Sequence, residues 1–130
     1  MCIRDRIKTF RSRLNENNIK NIVKNYEIVI DGSDNFKTKF LINNYCKKLK
    51  KKLITGAISK FDGHIFVFDF NDKKIASLED FYQEEKISDD ILNCEFEGVL
   101  GSTASIVGAI QANEAIKIIL GIGQNLKTKY

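Results

Sequence analysis

The sequence lacks the devices that announce a complete nucleotide enzyme. No Gly-x-Gly-x-x-Gly follows a strand-like run and no Walker lysine loop occurs, so the phosphate-cradling half of a nucleotide fold is not encoded here. Cysteine is scarce. Cys2, Cys46 and Cys94 make an odd count without regular spacing, which argues against a disulfide framework and fits a reducing cytosol. No pair forms a C-x-x-C, so zinc is not expected from this chain. No apolar stretch is long enough to span a bilayer and no signal-peptide pattern opens the sequence, so a cytoplasmic location without a membrane partner is expected. Charge of one sign is also modest, at a net +4. Its one concentration, Lys47-Lys48-Leu49-Lys50-Lys51-Lys52, reads as a solvated helix end. Without interleaved aromatics, that run is too weak a footprint for nucleic acid.

A chain of 130 residues, 43% of them hydrophobic, has enough apolar surface for one core and suggests one domain. Ile7 to Leu14 alternates like a short half-buried strand. Asn15 or Asn17 offers an N-cap to a short helix that presents Ile19, Ile22 and Val23 on one face. Tyr26 to Ile30 is a β-branched run suited to a buried parallel strand. The following helix groups Phe36, Phe40, Ile42, Tyr45 and Leu49, with Cys46 on its apolar side. Leu53 to Ile58 reads as a second buried strand, broken by Gly56. Asp62-Gly63 then reads as a turn into a strand from His64 to Phe70, with Ile65, Val67 and Asp69 on one side and no partner in view for His64.

Residues 71–97 are acidic and weakly periodic, which suggests a crossover with a short helix near Leu78 to Glu84. From Ser102 to Leu120 a helical pattern returns, with Ile106, Ile110, Ala112 or Asn113, Ile116, Ile119 and Leu120 as its apolar side. Gly121 and Gly123 stop it. Strands alternating with helices predict an α/β fold: a Rossmann-like, mainly parallel sheet with an antiparallel edge, incomplete because its N-terminal nucleotide-binding half is missing.

The chemistry concentrates where the first clear strand meets the second helix, at Ile28-Val29-Ile30-Asp31-Gly32-Ser33-Asp34-Asn35-Phe36. Open α/β sheets bind ligands outside the carboxyl ends of their strands. Asp34 is therefore a candidate metal or nucleotide contact, with plain helix capping as the competing role. Asp31 reads as support for the turn.

Three ordered blocks resemble the ThiF/MoeB family, the bacterial relatives of ubiquitin-activating enzymes. The first runs from Tyr26 to Phe36 and continues through Lys39 and Leu41-Ile42-Asn43. The second is Leu53-Ile54-Thr55-Gly56-Ala57-Ile58-Ser59, followed by Gly63. The third is Cys94-Glu95-Phe96-Glu97-Gly98-Val99-Leu100-Gly101, then Gly108 and Gln111-Ala112-Asn113-Glu114-Ala115-Ile116-Lys117. The resemblance makes residues 7–130 a partial ThiF-type adenylyltransferase domain, the later part of the family's domain. Residues 1–6 are then an artefactual or disordered start.

The resemblance implies ATP-dependent adenylylation of the C-terminal glycine of a ubiquitin-like sulfur-carrier protein of ThiS or MoaD type, ending in Gly-Gly. ATP and Mg²⁺ are the implied cofactors, and a homodimer is expected. Asp34 matches the family's essential aspartate and becomes the Mg²⁺ ligand, in preference to a cap. Asn35 matches the asparagine beside the nucleotide. Lys39 stands where arginine is usual and is carried over as a nucleotide contact without arginine's bidentate fork. Cys94 matches a crossover-loop cysteine that forms a thioester or persulfide link to the carrier. Its acidic neighbours Glu95 and Glu97 would raise a thiol's pKa, so a loosely packed, unreactive thiol stands beside that reading. The departures from the family pattern lead to the expectation of a fragment, inactive and poorly stable alone. Two other readings remain: a non-catalytic module dimerising through the Ser102–Leu120 helix, and half of an NAD-dependent dehydrogenase.

Overall fold

The computed structural model describes residues 7–59, 61–82 and 98–126. Strands β1 (Ile28–Asp31) and β2 (Lys52–Ser59) run parallel, with Ile28 opposite Lys52 and Asp31 opposite Thr55. β2 then returns antiparallel into β3 (Asp62–Asp69), from the Ser59–Asp62 pair to the Lys52–Asp69 pair. Among the described residues the sheet order is β1-β2-β3, an open α/β sheet with one parallel and one antiparallel pairing.

Successive residues of a strand face opposite sides of the sheet, and each side has its own core. Leu53 and Phe68 pack with Ile19 and Val23 of helix α1 (Ile19–Val23) and with Phe40, Ile42 and Cys46 of α2 (Phe36–Lys48). Leu78 of α3 (Leu78–Phe81) closes the same cluster. Phe66, Phe68 and Phe70 stack along that face of β3, with Phe81 and Tyr82 against Phe66. On the other side, Ile54 and Val67 meet Ala115 and Ile118 of the long helix α4 (Gly101–Leu120). The central strand β2 is thus covered on both faces.

α2 buries Lys39, Phe40, Ile42, Asn43 and Cys46, a stripe at helical spacing that includes two polar residues. Asn43 repays its burial by accepting from the Leu78 backbone N–H at 3.2 Å, which seats α3. α2 ends at the lysine run: Lys50 takes a left-handed conformation (φ 51°) and the Lys51 N–H returns to the Cys46 carbonyl. Lys47, Lys48 and Lys50 are exposed. Glycine stops α4, with Gly121 left-handed at φ 65° and its N–H on the Lys117 carbonyl.

Several expectations need correction. Ile7 to Leu14 forms no strand and is largely exposed; alternation builds a strand only where a sheet edge receives it. The first strand begins at Ile28 and includes Asp31, so Asp31 is buried while Ile30 is 52% exposed. Asp62-Gly63 is no turn but the first two residues of β3. Nor does Gly56 break β2, which runs through it.

One cause explains both glycines. A Cβ on Gly56 would lie 2.8 Å from Val107 Cγ1 and 2.9 Å from Gln111 Cδ, and one on Gly63 would lie 2.5 Å from Val107 Cγ2. These glycines let α4 lie close against the hairpin. That approach also sets the helix's rotation. The side facing the sheet is Val107, Gln111, Glu114 and Ala115, whereas Ile106, Ile110, Ile116, Ile119 and Leu120 are exposed. Apolar residues lie on both sides of α4, so the pattern alone pointed to the wrong one. No helix among the described residues is long and apolar enough to cross a membrane.

Candidate functional site

At the carboxyl end of β1 a buried polar cluster is built around Asp31, which is 2% exposed. One carboxylate oxygen, Oδ1, accepts from the Ser33 N–H at 2.8 Å and from the Ser33 hydroxyl at 2.6 Å. Its other oxygen, Oδ2, accepts from the Thr55 hydroxyl at 2.7 Å and from Lys39 Nζ at 3.2 Å. Each element contributes for a local reason. Thr55 stands opposite Asp31 in the parallel register. Lys39 lies one helical turn beyond the α2 N-cap and also donates to the Gly56 carbonyl. From the far side of the sheet, Gln111 Nε2 donates to the Asp31 carbonyl at 2.9 Å. The expected turn-supporting role of Asp31 is what the structure shows.

The turn held by this cluster presents Asp34 to solvent. Capping falls to the next residue: Asn35 Oδ1 accepts from the Thr38 N–H at 2.9 Å. Asn35 Nδ2 also donates to Asp34 Oδ1 at 3.0 Å. That bond, then the aspartate's own N–H, holds the Asp34 carboxyl below the ordinary aspartate value, with smaller help from the Arg13 and Lys39 charges. Asp34 is therefore an ionised, outward-facing acid at a strand end, beside the start of a helix.

Magnesium is commonly bound by one or two carboxylates together with nucleotide phosphates. Both oxygens of Asp31 already hold protein donors. Among the described residues no group of three or more His, Cys, Asp or Glu gathers. A hard cation at this turn would take Asp34 as its protein ligand and would be completed by a ligand's phosphates rather than by an all-protein cage.

Of the residues singled out in the sequence, Asp34 and Asn35 adjoin in the turn and Lys39 lies beneath it. Lys39 is buried, with a side chain only 4% exposed. Cys94 lies outside the described residues. Cys46 is core, its thiol pushed up to about 12, chiefly by burial and then by the Asp31 charge. His64, expected to be unpartnered, meets the Tyr82 hydroxyl through Nδ1 at 2.5 Å and stacks on its ring; α3 brings Tyr82 there. Thr55 and Gln111 were missed. Each is a polar residue inside an apolar stretch, and that was the available signal.

Glu114 was also missed as a structural centre. It is 2% exposed and accepts from Lys117, from Asn125 Nδ2 at 3.0 Å and from the Leu126 N–H at 2.9 Å. It thereby ties the segment after α4 back onto the helix. Burial pushes its pKa up, but the Lys117, Leu126 and Asn125 donors together outweigh burial and leave it lowered.

An open α/β sheet with an ionised aspartate beyond a strand's carboxyl end has the arrangement that nucleotide-binding α/β proteins use for their ligands. The chain belongs to the ThiF family, whose model matches residues 1–130. Among its relatives, a probable molybdopterin-synthase adenylyltransferase of Gracilaria tenuistipitata var. liui is 42% identical over 120 residues, covering 92% of this chain and 33% of the relative. A protein of the same name from Pyropia yezoensis is 41% identical over 116 residues, covering 88% of this chain and 30% of the relative. The adenylyltransferase and sulfurtransferase MOCS3 of Drosophila virilis is 37% identical over 121 residues, covering 93% of this chain and 26% of the relative. The chain thus spans about a third or less of the length of these relatives.

Proposed function

We propose that the full-length protein is an ATP-dependent adenylyltransferase acting on the C-terminal glycine of a ubiquitin-like sulfur-carrier protein. This chain contributes the wall of the active site that carries Asp34. The relatives named as adenylyltransferases support the reaction class. The observation that carries the reading is the exposed, ionised Asp34 held beside the α2 N-cap.

In the proposed reaction a carboxylate oxygen of the carrier's glycine attacks the α-phosphorus of ATP. The bond from that phosphorus to the bridging oxygen of the β-phosphate breaks, pyrophosphate leaves, and an acyl-adenylate remains. Two anions must meet, so charge neutralisation is the central requirement. Asp34 is the side chain that would hold Mg²⁺, which supplies positive charge against the triphosphate. Asn35 keeps the Asp34 carboxylate oriented and marks the nucleotide's edge. Cys94 is proposed as the thiol that attacks the acyl carbon, releasing AMP and leaving a carrier thioester. The protein acts in the cytoplasm, which suits an odd number of irregularly spaced cysteines. It acts as a homodimer, with a second copy covering the exposed isoleucines of α4.

ATP–pyrophosphate exchange by the full-length protein, compared with an Asp34→Ala variant, tests the central assignment. The variant should lose exchange by roughly 10²-fold or more, the scale on which electrostatic stabilisation of a transition state is usually felt. Exchange as fast as wild type would remove Asp34 from the mechanism. A carrier-linked species that survives Cys94→Ala would remove the covalent step.

A further inference from the structure

Lys39 is the buried cation nearest the candidate site, yet its geometry does not suit a nucleotide contact. Its side chain is 4% exposed, and its ammonium is engaged by the Asp31 carboxylate and the Gly56 carbonyl. Asp34 faces solvent on the outside of the turn. From these contacts we propose that Lys39 and Asp31 form a positioning pair that sets the Asp34–Asn35 turn, with Lys39 acting through Asp31 and never touching the nucleotide.

The contacts close a ring. Asp31 Oδ1 holds the N–H and hydroxyl of Ser33, the residue before Asp34. Asn35 caps α2 by accepting from Thr38, and the Lys39 N–H returns to the Asn35 carbonyl at 3.2 Å. The Lys39 side chain then reaches back to Asp31 Oδ2. The turn is thereby pinned at its first residue and at the helix that follows it. Thr55 and Gln111 anchor the Asp31 end of the ring to β2 and α4. A carboxylate that must meet a cation within a few tenths of an ångström needs such support, because loosely held ligands lose affinity and rate.

This inference rests on the proposed Mg²⁺–ATP role of Asp34, and the experiment separates the two. Initial rates of ATP–pyrophosphate exchange are measured in the full-length protein across Mg²⁺ concentrations at saturating ATP, and across ATP concentrations at saturating Mg²⁺. The variants are Asp34→Ala, Asp31→Asn, Lys39→Met, and Asp31→Asn combined with Lys39→Met. Thermal melts establish the folded fraction of each. If Lys39 acts through Asp31, Asp31→Asn raises the half-saturating Mg²⁺ concentration about fivefold or more. Adding Lys39→Met to it then changes that value by less than about twofold, as expected of two residues working as one unit.

A purely structural pair would lower the folded fraction and leave the Mg²⁺ half-saturation of the folded protein unchanged, which would overturn the proposal. A direct nucleotide contact predicts that the double variant loses a further tenfold or so in KM for ATP relative to Asp31→Asn, which would also overturn it. That comparison holds even where Lys39→Met alone, with Asp31 left charged and buried, does not fold. If instead Asp34→Ala exchanges normally, it is the functional reading that fails, and the positioning role falls with it.

Discussion

Lys39 Nζ lies 3.2 Å from Asp31 Oδ2, with the two side chains 4% and 1% exposed. Strand β1 and helix α2 are joined at that point. Between them runs the short turn that presents Asp34. An ion pair taken this far out of water is held by its additional hydrogen bonds as much as by its Coulomb attraction. Thr55, Ser33 and the Gly56 carbonyl supply those bonds.

Breaking the pair on one side should cost more than removing it altogether. Lys39→Met leaves Asp31 buried without its cation and should destabilise by about 3–5 kcal/mol. Combining it with Asp31→Asn removes the stranded charge and should recover most of that loss. Urea midpoints of wild type and the two variants measure this; a double variant less stable than the Lys39 single variant would contradict it.

The close approach of α4 makes Gly56 intolerant of even one methyl. Gly56→Ala places a Cβ 2.8 Å from Val107 Cγ1 and 2.9 Å from Gln111 Cδ, and should cost about 1–3 kcal/mol through overpacking. Gly108, inside α4, has open space where a Cβ would point. Gly108→Ala should therefore stabilise by up to about 1 kcal/mol from helix propensity. Opposite signs are expected in thermal melts of the two variants, and equal effects would mean that α4 does not rest where the structure has it.

Glu114 gives stability a dependence on acid. Its folded pKa is lowered, because the Lys117, Leu126 and Asn125 donors outweigh burial. The contribution is therefore complete above the ordinary glutamate range and disappears as pH falls through the lower, folded value. Urea midpoints of wild type and Glu114→Gln should differ most at neutral pH and converge as pH falls below the ordinary glutamate range. A gap of constant size across that range would show that the charge of Glu114 contributes nothing.

The exposed side of α4 is a further test of the proposed dimer. Ile116 and Ile119 are 52% and 70% exposed, so charging them should leave the fold intact. Ile116→Glu with Ile119→Lys should convert a wild-type dimer to monomer in sedimentation velocity, without change in the far-ultraviolet circular dichroism spectrum. A wild-type protein that sediments as a monomer at every concentration would exclude this interface.

Local rules carried the reading where neighbouring residues settle the outcome. The strand-to-helix junction at Asp31–Phe36 was legible because a β-branched run, a glycine and a cluster of capping-type residues act within a few residues of one another. The end of α4 at Gly121 was legible for the same reason. Misreadings arose where a distant partner decides. Gly63 looks like a turn residue until Val107, far along the chain, is seen to need its space. His64 looks solitary until α3 delivers Tyr82.

The sequence by itself determined the order of the strands and helices from Ile19 onward, the family resemblance, and an acid at the end of β1. Periodicity, capping and motif spacing are properties of nearby residues, so they survive without coordinates. Tertiary structure decided which face of α4 meets the sheet, and that Lys39 turns inward to Asp31 while Asp34 turns out. Those outcomes depend on contacts between residues far apart in the chain, such as Gln111 with the Asp31 carbonyl. No local pattern contains them, because burial of a polar side chain becomes favourable only once its partners have been brought to it.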